Sequence, residues 1–83
     1  MGQINNDNKI KYINYCIATF AKQYRMSLLA AFNYLDRYGG LAFLDECYEA
    51  EHLLSIEDAI NDIAIICKNN GGQLEWFYIM EPI

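Results

Sequence analysis

Apolar residues recur along this chain at spacings of three and four, and serine or glycine interrupts them at intervals, a pattern that predicts several short helices. The first spans about residues 8–24, with Ile10, Ile13, Ile17, Phe20 and Tyr24 as its inward stripe and Asp7 or Asn8 as its N-cap. Its opposite stripe, Lys11, Tyr15, Ala18, Lys22 and Arg25, is basic and partly aromatic. Ser27 then offers its hydroxyl to the open amides of a second helix over 28–38, whose apolar side is Leu28, Ala31, Phe32 and Leu35. Gly39-Gly40 ends that helix. So short a connection makes the first two helices antiparallel or steeply crossed neighbours.

A third helix is expected over 41–48, burying Leu41, Leu44 and either Cys47 or Tyr48, followed by an irregular connector over 49–54. Ser55 caps a fourth helix over 56–69. Asp58 lies three residues after the cap, Leu54 can staple onto Ala59, and Glu57 and Asp58 sit where the helix dipole favours negative charge. Ile56, Ile60, Ile63 and Cys67 form its inward stripe, with Ala59 and Ile66 beside it. Ile65 falls instead at helical spacing from Asp58, Asn61 and Asp62, on the polar side, so another segment or subunit has to cover it if it is to be buried. Asn70-Gly71-Gly72 supplies the left-handed conformations that stop a helix.

From Leu74 to Met80 the pattern changes to a strand-like aromatic run containing Trp76, Phe77 and Tyr78. No partner strand is evident, so this tail packs on its own helices, pairs with a symmetry mate or adds to a partner's sheet. The expected architecture is all-α. It is one small four-helix domain over 1–83, with a short extended or β-like C-terminal segment over 73–83.

Composition agrees with a folded domain: 54% of residues are hydrophobic, 14% are aromatic, and there is one proline. A chain of 83 residues has a modest core, burying about 60% of the surface its unfolded form exposes. No apolar run is long enough to span a bilayer and the N-terminus lacks signal-peptide zones, so a soluble, cytoplasmic protein is expected. Met1-Gly2 is not followed by Ser or Thr at position 6, as myristoylation requires. Cys16, Cys47 and Cys67 are too scattered for a disulfide framework or a zinc site, and read as free thiols in a reducing compartment.

The formal net charge of −5 is unevenly spread. Residues 1–37 hold five of the six bases and only two acids, whereas residues 38–83 hold nine acids and Lys68. Between Arg37 and Lys68 no basic residue occurs, and this acidic stretch carries the sharper hypotheses. A one-signed patch that includes Glu49, Glu51, Glu57, Asp58 and Asp62 suits a basic partner, since such patches steer association. Ile65, Trp76 and Tyr78 are the apolar anchors such an interface needs.

His52, with Cys47, Glu49 and Glu51 close in sequence, raises a Cys/His nucleophile or a metal site. The spacing matches no metal or protease motif, and His52 and Tyr48 read as structural, together with Ser27, Gly39, Ser55 and Gly71. The acids do not have calcium-loop spacing, and no cofactor or metal is expected. The basic face of the first helix, Lys11, Tyr15, Lys22 and Arg25, is the basis of an alternative, a nucleic-acid-binding regulator; three charges in a domain of this acidity make it the weaker one.

Several of these residues carry a family resemblance. The order Tyr12-Ile13-Asn14-Tyr15-Cys16-Ile17, Met26-Ser27, Tyr38-Gly39, Leu44, Tyr48, His52-Leu53-Leu54-Ser55 and Ala59-Ile60-Asn61-Asp62-Ile63 resembles the small prokaryotic domain-of-unknown-function family numbered 3791, over roughly residues 10–70. Members more usually carry a threonine at or just after this histidine-leucine pair, where this chain has Leu53-Leu54, a departure that argues against a polar role for the turn. The resemblance implies no activity. It implies an accessory protein, and because some members are encoded near ADP-ribosyltransferase-like proteins, an antitoxin or partner subunit. The expected function is therefore a non-enzymatic interaction module, with self-association as a homo-oligomer its simplest form.

Overall fold

In a computed structural model of the chain, residues 3–73 are described, with side chains from residue 7 onward. The expectations for the aromatic tail, Trp76 and Tyr78 included, lie outside the described residues. The all-α class holds, and among the described residues there is no strand. Five helices follow one another: α1 (Gln3–Gln23), α2 (Leu28–Arg37), α3 (Gly40–Glu46), α4 (Tyr48–Glu51) and α5 (Ile56–Asn69).

Helix α1 begins five residues before its expected start. Its polar opening has no apolar period to betray a helix, and Asp7 is not a cap but an interior residue, 3.7 Å from the Lys11 ammonium one turn on. The inward face is also rotated from the expected stripe. Cys16, Ile17, Phe20 and Ala21 are buried and Ile13 and Tyr24 partly so, while Ile10 is 55% exposed. Helix α2 folds back along α1, as the 5.9 Å stacking of Phe20 and Tyr34 records, and its ten residues reach only about 15 Å. We attribute the exposure of Ile10 to that short reach.

The end of α1 follows a Schellman pattern. Met26 N–H donates to the Ala21 carbonyl at 2.8 Å and Arg25 N–H to the Lys22 carbonyl, with Arg25 in the left-handed region at φ 57°. Met26 packs on the core and Ala21 is buried, the apolar closure that usually accompanies this motif.

The Ser27 hydroxyl accepts the Ala30 amide at 3.0 Å, as the sequence predicts for the start of α2. Only Ala31 and Leu35 of its expected apolar side are buried. Leu28 and Phe32 are exposed, at 61% and 44%, next to Leu29 at 69%. The expected apolar side is thus only half buried: α1 and α3 occupy a narrower arc of α2 than its apolar residues span.

Gly39 and Gly40 do different jobs. Gly39, at φ 84°, is the left-handed stop, and Asn70 Nδ2 passes so close that a Cβ there would lie 2.8 Å from it, on its way to the Tyr38 carbonyl. Gly40 opens α3 and is packed so tightly that a Cβ would meet Leu35, Cys67 and Ile63 at 2.9–3.1 Å. Three helices converge on this backbone atom.

The expected 49–54 connector is partly helical: α4 is one turn, with Glu51 N–H bonded to the Cys47 carbonyl at 2.8 Å. Helix α5 starts as predicted, the Ser55 hydroxyl accepting the Asp58 amide at 3.1 Å. It stops in a second Schellman closure, Gly72 N–H to Cys67 and Gly71 N–H to Lys68, with Gly71 at φ 103°. Ala59, Ile60, Ile63 and Cys67 are buried, and Ile56 is partly so. The core thus joins α1, α2, α3 and α5 through Phe20, Leu35, Leu44, Ile60 and Ile63.

An acidic, apolar outer face and a buried carboxyl pair

The outer side of α5 carries Glu57, Asp58, Asn61 and Ile65, all exposed, and Ile65 is 55% exposed. Its helical neighbours are Asp62 and Asn61 one turn back and Lys68 and Asn69 one turn on, with Asp58 two turns back, so the acidic part of this face lies on the N-terminal side of Ile65. Just before the helix, Leu53 is 77% exposed and Leu54 is 41% exposed. Glu49 is exposed on α4. Asp45, acidic by sequence, is held by Lys9 of α1 at 2.8 Å and contributes less open charge than its position suggests.

Glu51 does not belong to this face. It is only 7% exposed, at the end of the α4 turn, and its Oε1 has no hydrogen-bond partner. Asp62 of α5 is the acid beside this carboxyl. A carboxyl–carboxyl hydrogen bond needs a proton on one member. Burial, then that bond, then repulsion from Asp62 raise Glu51 from 4.5 to about 7. Asp62 is half-buried in consequence and turns partly inward from the outer face.

On the α1 side, Tyr12 and Cys16 lie one helical turn apart. The Tyr12 hydroxyl is buried with no nitrogen or oxygen partner and rests against the Cys16 thiol. Burial, the Cys16 contact and the nearby Glu51 raise the phenol well above its ordinary range. Cys16 is also raised, chiefly by burial, with the Tyr12 contact opposing. Cys67, buried in the core, is pushed up to about 11, a backbone hydrogen bond at Gly40 only partly offsetting its burial. Thiols raised in this way are poor nucleophiles at neutral pH.

Tyr48 and His52 stack with ring centroids 4.5 Å apart, and Tyr12 meets the Tyr48 ring edge-on at 5.5 Å. His52 is exposed overall, and its Nδ1 lies 2.8 Å from the Tyr48 carbonyl. Since a carbonyl only accepts, Nδ1 carries the hydrogen and the ring is fixed over Tyr48. No cluster of three or more His, Cys, Asp or Glu side chains suited to a metal occurs among the described residues.

Lys11, Tyr15 and Lys22 are exposed on α1, with Lys11 beside Asp7, whereas Arg25 is exposed beyond the helix end, in the left-handed region. Missed by sequence reasoning was the inward turn of Glu51. Its position three residues after Tyr48 and the Tyr12-x-x-x-Cys16 spacing on α1 were the available signals, and neither separates a buried acid from a solvated one.

No helix among the described residues is long and apolar enough to cross a membrane. No curated protein and no solved structure matches this chain. Residues 11–70 match the family described as protein of unknown function, DUF3791, and the chain belongs to that family.

Proposed function

We propose that this protein is a non-enzymatic interaction module that docks a basic protein partner on the outer face of α5 and the leucine corner before it. The observation that carries the reading is Ile65, more than half exposed on a well-capped helix, with Asp58, Asn61 and Asp62 on its N-terminal side and Lys68 one turn on. A large apolar side chain there gains its burial free energy only from a partner, about 1.5–3 kcal/mol for a fully covered isoleucine. The acids at the start of that helix, Glu57 and Asp58, favour a partner of opposite sign. Glu49, Glu57 and Asp58 form the rim, Ile65, Leu53 and Leu54 the apolar centre, and Glu51 is assigned instead to the interior.

Self-association is assigned to a different surface. The α2 flank of Leu28, Leu29 and Phe32 is apolar over neighbouring helical positions and suits a two-fold contact with a second copy. On the same footing we place the protein in the cytoplasm, where its three thiols stay reduced, and regard an accessory or antitoxin-like partner subunit as the role that fits such a module.

The test is a comparison of variants as bait in extracts of the native host. The reading predicts that the unmodified protein retains a basic partner, that Ile65→Asp and the double variant Glu57→Lys, Asp58→Lys lose it, and that Lys22→Glu on α1 keeps it. Loss of retention with Lys22→Glu but not with Ile65→Asp transfers the function to the basic face and overturns the reading.

A further inference from the structure

We propose that the buried Glu51 carboxyl keeps a proton beside Asp62 and that this protonated group is a latch holding the α4 turn, with the leucine corner that follows it, against α1 and α5. Among the described residues Glu51 is the one charged side chain that is buried, and one of its oxygens has no partner. The groups around it come from every element packed there. Helix α1 contributes Tyr12 and Cys16, α5 contributes Asp62, and its own turn contributes Tyr48 and His52.

None of the buried neighbours is a cation. Lys9, the base near the turn, lies 5.9 Å from the Tyr48 ring centre and bonds to Asp45 at 2.8 Å, while His52 commits Nδ1 to the Tyr48 carbonyl. A bare carboxylate at Glu51 would therefore face a second acid, a buried phenol and a thiol with nothing to offset it. With the proton in place, Glu51 donates to Asp62 and the two helices are joined by a charge-assisted hydrogen bond.

The direction of the pH effect follows. Below about 4.5 the group is protonated in both the unfolded and the folded protein, and the latch contributes fully. Between 4.5 and about 7 the unfolded chain gives up a proton that the folded one keeps, so stability falls as pH rises, and above about 7 the contribution is gone. Leu53 and Leu54 directly follow the latched turn, so its opening changes the apolar centre of the docking face. That consequence rests on the interaction reading above; the latch does not.

The experiment is a carbon-detected NMR titration of the side-chain carboxyls in the full chain, with amide exchange of residues 48–54 followed over the same pH range and corrected for intrinsic base catalysis. The expected Glu51 midpoint lies near 7, with protection of the turn falling several-fold from pH 5.5 to 8. Glu51→Gln, a neutral donor of the same shape, removes that pH dependence. Asp62→Asn moves the Glu51 midpoint down, and this variant decides the matter if Glu51→Gln does not fold. A Glu51 midpoint near 4.5 in the folded protein, or identical pH dependence of the turn in the unmodified and Glu51→Gln proteins, overturns the latch. A working latch in a protein that binds no partner sinks only the docking reading.

Discussion

Single residues decide how the helices are allowed to meet. At Gly40 a methyl group would press on Leu35, Cys67 and Ile63 simultaneously, all of them core atoms that cannot swing aside. Gly40→Ala should therefore cost about 1–3 kcal/mol, read as a lowered urea midpoint with an unchanged m-value. Arg25 poses the opposite case, a side chain in a left-handed conformation that glycine adopts without strain. Arg25→Val should lower stability by about 1–2 kcal/mol, because a β-branched residue tolerates this region least, whereas Arg25→Gly should not lower it. If valine and glycine behave alike in thermal melts, the strain assigned to this position is absent. Neither effect was visible beforehand: Gly40 read only as part of a stop, and nothing in Tyr24-Arg25-Met26 signals a Schellman closure.

At the scale of elements, what was legible was what local chemistry determines. Ser27 and Ser55 cap their helices with hydroxyls accepting the third amide, and Gly39 and Gly71 take the positive φ their positions implied. Ser55→Ala should cost about 1 kcal/mol and raise amide exchange most in the first turn of α5, where Glu57 and Asp58 also depend on that helix end. Uniform change across the chain would contradict a local cap. The illegible parts were those that tertiary contacts decide. A four-residue turn such as α4 is too short to show a period, the polar opening of α1 has no apolar stripe, and the burial of Leu28 and Phe32 depended on how wide an arc their neighbours cover. Glu51 is the sharpest instance, an acid counted with a solvated run that the fold turns inward against Asp62.

Across the whole molecule charge is unevenly spread, bases in the first half of the chain and acids in the second. Basic residues lie on α1 and acidic ones on α5, and the pair Lys9 to Asp45 ties α1 to α3. Docking through the α5 face should therefore weaken as salt rises, since open charges a Debye length of about 8 Å or more from their partners are screened at physiological ionic strength. A partner affinity flat between low and high salt would leave only the apolar centre at work. The separation of charge along the chain distinguishes the functional readings, because a basic protein and a nucleic acid would approach different helices.

The most direct measurement places a photo-crosslinking amino acid at single surface positions in the native host. Position 65 on α5 and position 54 in the leucine corner should give one and the same discrete adduct with another protein, while position 18 in the middle of the basic α1 face should give none. An adduct from position 18 with none from 65 or 54 would contradict the account, since the partner would then meet the face that the exposed Ile65 and its acids do not form.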